Sequence, residues 1–128
     1  PFRNSLFIVH ALSFAESLQL KDKKEYDIFL GFKCEGKESY PDTTLDYVTK
    51  INEIITLHLF KGRLKAPLIN KDKDEIVLLG EKLGIDFQKT YSCYSGKSKH
   101  CGTCLACRLR QAGFYWANVE DPTFYKEK

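Results

Sequence analysis

Four of the chain's five cysteines fall between residues 93 and 107, spaced Cys93-x7-Cys101-x2-Cys104-x2-Cys107. A C-x-x-C turn points two thiolates at one ion, and two overlapping turns that share Cys104 supply three ligands. Cys93 completes a tetrahedron from the far side of a loop, and Gly96 and Gly102 give that loop the backbone freedom to wrap. A closed set of four thiolates suits Zn²⁺ and is structural rather than catalytic. The spacing therefore predicts a zinc site at Cys93, Cys101, Cys104 and Cys107 that staples the C-terminal part of the chain. Binding would stabilise the fold by on the order of 10 kcal/mol in apparent terms, comparable to a small domain's whole stability. An odd and clustered set of cysteines is not the pattern of a secreted disulfide framework, and it points to a reducing, cytoplasmic setting.

Other readings of the cluster stay open at this level. The four could be ordinary buried thiols, and His100 could replace the neighbouring Cys101 as a ligand. An iron–sulfur cluster is a sharper rival, because C-x-x-C-x-x-C also begins the bacterial ferredoxin run. That run continues x3-C-P, whereas Cys107 is followed by Arg108-Leu109-Arg110. Four thiolates on a divalent ion carry a net −2 charge. Lys97, Lys99, Arg108 and Arg110 surround the site in sequence and would offset that charge, or else bind phosphate or nucleic acid. Cys34 stands alone with no evident base beside it, as a small buried or loop residue. His10 and His58 fall in helical patterns as core or surface residues.

The rest of the composition narrows the class. At 128 residues, 43% hydrophobic and 29% charged, the chain has the size and balance of one globular domain. A net charge of +3, with lysines mixed among acids, is little argument for nucleic-acid binding. No apolar run approaches the ~18 residues that span a bilayer, and no signal peptide is evident, so no membrane partner is expected. A chain that opens on Pro1 and contains no methionine reads as a fragment.

Hydrophobic periodicity orders the elements. Asn4 can cap a helix to about Leu20 that is apolar almost all round and so expected to be buried on most sides. Lys21–Glu25 reads as a solvated turn, and Tyr26–Phe32 as a strand of near-continuous apolar character. After a polar loop over 33–42, Thr43 or Thr44 caps a helix whose face is Tyr47, Val48, Ile51, Ile54, Ile55 and Leu59. Leu64–Ile69 is a short strand. Asn70 or Asp72 opens a third helix with Ile76, Leu79 and Leu83 on one side, closed by Gly84. An extended piece over Phe87–Tyr91 leads into the cysteines, and a last helix from about Cys104 carries Leu109, Phe114 and Trp116. Alternation of this kind predicts an α/β fold, a parallel sheet flanked by helices. Two strands are few for such a sheet, so it is expected to be incomplete here, with the rest upstream of Pro1. Exposed apolar surface left by missing strands would favour association, for example as a homodimer.

Longer motifs carry a resemblance. Ser92-Cys93-Tyr94, then Cys101-Gly102-Thr103-Cys104-Leu105-Ala106-Cys107-Arg108-Leu109-Arg110, Gly113-Phe114 and Asp121-Pro122-Thr123 follow one another in order. Upstream stand Pro1-Phe2-Arg3-Asn4, Gly31, Tyr40-Pro41-Asp42 and Pro67-Leu68 with Lys73, Glu75 and Ile76. In this the chain resembles the C-terminal part of the 7-cyano-7-deazaguanine (pre-Q0) synthases of queuosine biosynthesis, with Tyr91 where tryptophan is common.

The resemblance implies a PP-loop ATPase with an adenine nucleotide alpha hydrolase-like, Rossmann-type sheet. Residues 1–90 would be the C-terminal part of that domain and 91–128 a zinc-binding subdomain. It implies a ligase that uses ATP and Mg²⁺ to join 7-carboxy-7-deazaguanine and ammonia, through carboxylate adenylation and dehydration of an amide to the nitrile. The family's S-G-G-x-D-S phosphate loop is absent from these residues, and no G-x-x-x-x-G-K-[ST] replaces it. A missing N-terminal half would have to supply it. Arg3, Asn4, Tyr40, Asp42 and Lys73 are the residues expected to line the substrate or nucleotide cleft. Each also has a plainer reading: Asn4 as a cap, Tyr40-Pro41-Asp42 as a turn, Lys73 as a solvated first-turn residue. The competing functional class is a zinc-bearing nucleic-acid-binding module that uses the basic cysteine loop.

Overall fold

A computed structural model describes residues 2–33, 40–95 and 98–126. Cys34, Gly36, Gly96 and Lys97, to which the sequence assigns roles, lie outside the described residues. The chain divides into two compact units, Pro1–Asn70 and Lys71–Lys128.

The first unit holds α1 (Arg3–Asp22), β1 (Ile28–Phe29), a 3-10 turn at Pro41–Thr43, α2 (Leu45–Ile55) and β2 (Leu64–Lys65). α1 begins two residues earlier than a cap at Asn4 would allow. The Leu6 N–H donates to the Phe2 carbonyl at 3.0 Å, so Phe2 takes the cap position and Asn4 lies inside the first turn. α2 is capped as expected: the Thr44 hydroxyl accepts from the Tyr47 N–H at 3.2 Å. Ile8 and Ala15 of α1 meet Val48 and Ile55 of α2, with Phe60, Leu64 and Ile69 closing the core. Burying each large aliphatic side chain there contributes about 1.5–3 kcal/mol.

α1 is not buried on most sides. Only Ile8 and Ala15 are fully covered, while Leu6, Phe7, Val9, Phe14 and Leu20 are all more than half exposed. Hydrophobicity all round a helix reports a demand for cover and not who supplies it. Likewise, Leu59 of the expected α2 face lies beyond the helix end and is 82% exposed.

β1 and β2 pair in parallel, Ile28 with Leu64 and Phe29 with Lys65, and each is shorter than its apolar run. Among the described residues the sheet has these two strands. Its two edges differ. On β2 the Asn52 side chain accepts from the Leu64 N–H and donates to the Leu64 carbonyl, both at 2.9 Å, which closes that edge. On β1, Ile28 and Leu30 turn their N–H groups to β2, so strand alternation sends the Phe29 peptide groups to the other edge.

The second unit holds α3 (Lys73–Lys82), a 3-10 turn at Phe87–Lys89 and α4 (Leu105–Trp116). Asp72 is the N-cap of α3, its N–H held by the Glu75 carboxylate at 2.7 Å, and Gly84 follows the helix at φ 67°, as a left-handed C′ residue should. The inward stripe of α3 is Val77 and Gly80, not Ile76, Leu79 and Leu83. Gly80 lets the Phe87 ring approach so closely that a Cβ would stand 2.4 Å from it. The expected extended piece at Phe87–Tyr91 begins instead as a 3-10 turn, because Asp86 accepts from the Gln88 N–H and caps a single turn. Phe87 meets Phe114 edge to face with ring centroids 4.9 Å apart. Val77, Phe114 and Ala117 form the small apolar core between α3 and α4, and Trp116 faces outward.

Candidate metal centre

α4 starts at Leu105 with Cys104 as N-cap, which puts Cys107 in the first turn on the helix's inward side. Along that side Cys107, Arg110, Phe114 and Ala117 are buried in succession, at the i, i+3, i+7 spacing of a helix face. Cys101 sits just before the helix, and Gly102, at φ 75°, makes the reversal between Cys101 and Cys104. Cys93 enters from the preceding segment. The four Sγ atoms lie within 4.8 Å of one another.

None of the four is in a disulfide. With Zn–S bonds of about 2.3 Å, sulfurs at tetrahedron corners stand about 3.8 Å apart, so the cluster has the dimensions of a single-ion site. It could hold a metal ion such as zinc.

The surroundings favour thiolates at two positions. Cys93 Sγ accepts the Ser95 and Cys101 N–H groups, both at 3.3 Å, and lies 3.0 Å from the Ser95 hydroxyl. That hydroxyl and then the Cys101 N–H bring its pKa down to about 5. Cys101 is lowered by the backbone of Thr103 and Cys104, whose N–H groups point at its sulfur. Cys107 is the opposite case: burial pushes its thiol up to about 12, as desolvation does to any group that ionises to an anion. A cation shared among the four would supply the charge that a thiolate at this buried position needs. The N-terminal dipole of α4 acts in the same sense.

His100 is not a fourth-ligand substitute. It is buried, its Nε2 accepts from the Ser92 N–H at 3.1 Å, and its ring lies against Tyr91. The basic residues divide. Lys99 is exposed, and Arg108 Nε donates to the Thr103 carbonyl at 2.9 Å, bracing the loop between Cys101 and Cys104. Arg110 does not serve to offset the sulfur charge. Its guanidinium is buried and paired with Asp121 at 3.3 Å, and its flat side stacks on Phe114. The partners of Arg110 are what sequence reasoning missed. Asp121-Pro122-Thr123 stood out as a motif, but nothing in its spacing says that it folds back onto α4.

The other candidate residues divide between the units. Arg3 and Asn4 open α1, and Tyr40 and Asp42 belong to the 3-10 turn that α1 packs against. The Ser5 and Tyr47 hydroxyls, 2.6 Å apart, fasten that end of α1 to α2. Tyr40 is 56% exposed and Asp42 half-buried. Lys73 opens α3 in the second unit, where its stem runs over α4; a Cβ on Gly113 would stand 3.0 Å from Lys73 Cβ. No helix among the described residues is long and apolar enough to cross a membrane.

Comparison with known proteins matches residues 1–118 to the family described as queuosine biosynthesis protein QueC. Similar proteins named 7-cyano-7-deazaguanine synthase occur in Nitrosomonas eutropha, 38% identical over all of this chain and 58% of the relative, and in Methanothermobacter thermautotrophicus, 35% identical over 99% of the chain and 55% of the relative. One from Rickettsia bellii is 39% identical over 98% of the chain and 55% of its own length. The chain thus spans little more than half the length of the curated relatives it matches, and it corresponds to a C-terminal part of them. With the motif cysteines gathered into one cluster inside the matched stretch, the chain belongs to the QueC family of queuosine biosynthesis proteins.

Proposed function

We propose that this chain is the metal-stapled C-terminal portion of a 7-cyano-7-deazaguanine synthase, a ligase that uses ATP to convert 7-carboxy-7-deazaguanine and ammonia to the nitrile. The observation that carries the reading is the family match across residues 1–118, which takes in all four clustered cysteines. A carboxylate resists attack until one oxygen becomes a good leaving group. Adenylation provides that group, ammonia displaces it to give an amide, and loss of water from the amide gives the nitrile. Stabilising phosphate charge on this route calls for backbone N–H groups, Mg²⁺ and cationic side chains.

In this reading residues 1–90 are the C-terminal part of a PP-loop α/β domain of the adenine nucleotide alpha hydrolase type, and 91–128 are its zinc-binding subdomain. Polypeptide outside these 128 residues carries the phosphate loop. Two features of the first unit support this. Asn52 closes the β2 edge of the sheet and leaves the β1 edge to receive further strands, and α1 presents apolar faces for added layers. Self-association into a homodimer is a second use for the same exposed surface. Arg3 and Lys73 would pair with phosphate or the substrate carboxylate, Tyr40 would stack on the deazapurine, Asp42 would accept from its amino group, and Asn4 would line the cleft.

The metal is zinc, held by Cys93, Cys101, Cys104 and Cys107, and its chemistry is structural: it closes the loop and takes no part in a step. Sulfurs within 4.8 Å of one another support a single ion, since a multi-iron core would stand between the thiolates and hold them further apart. Thiolate ligation and ATP both suit a cytoplasmic location. The nucleic-acid-module reading is weakened by Arg110, whose guanidinium is turned inward and engaged.

The test is turnover by the full-length, zinc-loaded protein given 7-carboxy-7-deazaguanine, ammonium and MgATP, with the nitrile detected by mass. ATP-dependent nitrile supports the reading. No product, under conditions in which the Rickettsia bellii relative turns over, would refute it. Arg3→Ala, Asp42→Asn and Lys73→Ala enzymes that retain full turnover would remove those residues from the cleft.

A further inference from the structure

Arg110 is buried in the second unit with all three guanidinium nitrogens hydrogen-bonded, and its partners lie on both flanks of the cysteine loop. Nε donates to Thr123 Oγ1 at 2.7 Å and to Asp121 Oδ1 at 3.3 Å. Nη1 donates to Thr90 Oγ1 at 2.8 Å and to Ser92 Oγ at 3.5 Å, and Nη2 to the Phe87 carbonyl at 3.2 Å. The Arg110 side chain is 7% exposed and that of Asp121 14%. A buried guanidinium is costly unless its donors are met, and here the planar fork meets two separate segments at fixed angles.

Those segments lead to the sulfurs. Phe87, Thr90 and Ser92 precede Cys93, and Arg110 itself stands one turn beyond Cys107 on α4. The tail after Asp121 completes a ring of contacts. The Tyr125 hydroxyl donates to Asp121 Oδ2 at 2.5 Å, and its ring packs at Gly102, where a Cβ would stand 3.5 Å from it. The Lys126 N–H donates to the His100 carbonyl at 2.9 Å, and His100 Nε2 receives the Ser92 N–H. Residues adjacent to Cys93, Cys101 and Cys107 are thereby joined through Arg110 and the tail.

We infer that Arg110, held by Asp121 and Thr123 with Tyr125 bonded in turn to Asp121, is a positioning residue that keeps the flanks of the cysteine loop at ligand spacing. The inference rests on the metal reading above and not on the synthase activity. Its chemical content is specific. Lysine keeps the charge of Arg110 but has no fork, so it cannot reach both segments at once. Removal of outer supports of this kind typically weakens metal binding roughly 10–100-fold.

The experiment is competition for zinc between the full-length protein and a chromogenic chelator, with Arg110→Lys, Tyr125→Phe and, as a control, Val77→Ala. Val77 lies in the same unit's apolar core beside Phe114 and Phe87, so its truncation loosens the packing while every hydrogen-bonding group of the clasp is kept. The expected result is roughly 10–100-fold weaker zinc binding for Arg110→Lys, and a loss of about two- to tenfold for Tyr125→Phe, which removes one hydrogen bond and keeps the ring. Val77→Ala, at an equal or greater drop in melting temperature, should change affinity less than either. Should Arg110→Lys fail to fold, Tyr125→Phe against Val77→Ala decides alone. Wild-type affinity in the clasp variants, or an equal loss in Val77→Ala, overturns the inference while leaving the metal reading intact. A wild-type protein that takes up no zinc overturns both.

Discussion

In Pro1–Asn70 the interior is a row of aliphatic and aromatic side chains, Ile8, Ala15, Val48, Ile55, Phe60, Leu64 and Ile69. In Lys71–Lys128 the apolar interior shrinks to Val77, Phe114 and Ala117, and the other buried groups include two thiols, His100 and Arg110. Burial of hydrocarbon is non-directional and can be extended by whatever packs next, and the first unit leaves Leu6, Phe7, Phe14 and Leu57 open for that. Hydrogen bonds are directional, and the buried Arg110 of the second unit meets its partners within that unit. One region leaves much of its apolar surface open; the other is latched by polar contacts.

Chelation is the strongest way to break this comparison. Stripping the metal should remove on the order of 10 kcal/mol of apparent stability from the second unit. Hydrogen exchange should then accelerate across α4 and the segment leading to Cys93 while α2 stays protected. Equal loss of protection in α2 would contradict the division. Next in size, Ile55→Ala should cost about 2–5 kcal/mol through the cavity it leaves. Urea unfolding would measure that loss, and zinc stoichiometry should not change.

Gly80→Ala sharpens the picture within the second unit. An alanine gains about 0.5–1 kcal/mol of helix propensity, but its methyl would meet the Phe87 ring at 2.4 Å. Overpacking costs about 1–3 kcal/mol, so a net loss is expected on thermal melting. A stabilised variant would mean that the ring yields freely.

Asp121 supplies a pH test. Burial opposes its ionisation, yet hydrogen bonds from Thr123 and Tyr125 and the charge of Arg110 outweigh this and hold it below the usual 3.8. A depressed carboxylate contributes stability that is complete above its unfolded value and lost as pH falls through its folded value. Acid unfolding below about pH 4 should therefore lessen in slope in Asp121→Asn. Smallest of all, Phe14→Ser should shift stability by no more than about 0.5 kcal/mol, because that ring is 67% exposed. The same change should reduce self-association on sizing columns if the open face of α1 drives it.

What could be read from the residues follows the same division. The cysteine set, the α3 cap at Asp72 and the Gly84 stop were all legible, because each is a local pattern with one geometric solution. Parallel pairing of the two apolar runs was legible too, though only Ile28–Phe29 and Leu64–Lys65 form it. Burial of α1 was misread, because apolar residues record a need for neighbours without identifying them. The inward turn of Arg110 was hidden for a related reason. Its partners come from residues 87–92 and 121–123, and only the folded chain brings those segments to α4.

X-ray absorption at the zinc edge of the purified protein tests the central claim most directly. Four sulfur scatterers at about 2.3 Å, with one zinc per chain, are the predicted shell. A shell containing nitrogen, fewer than four sulfurs, or iron in place of zinc would contradict it.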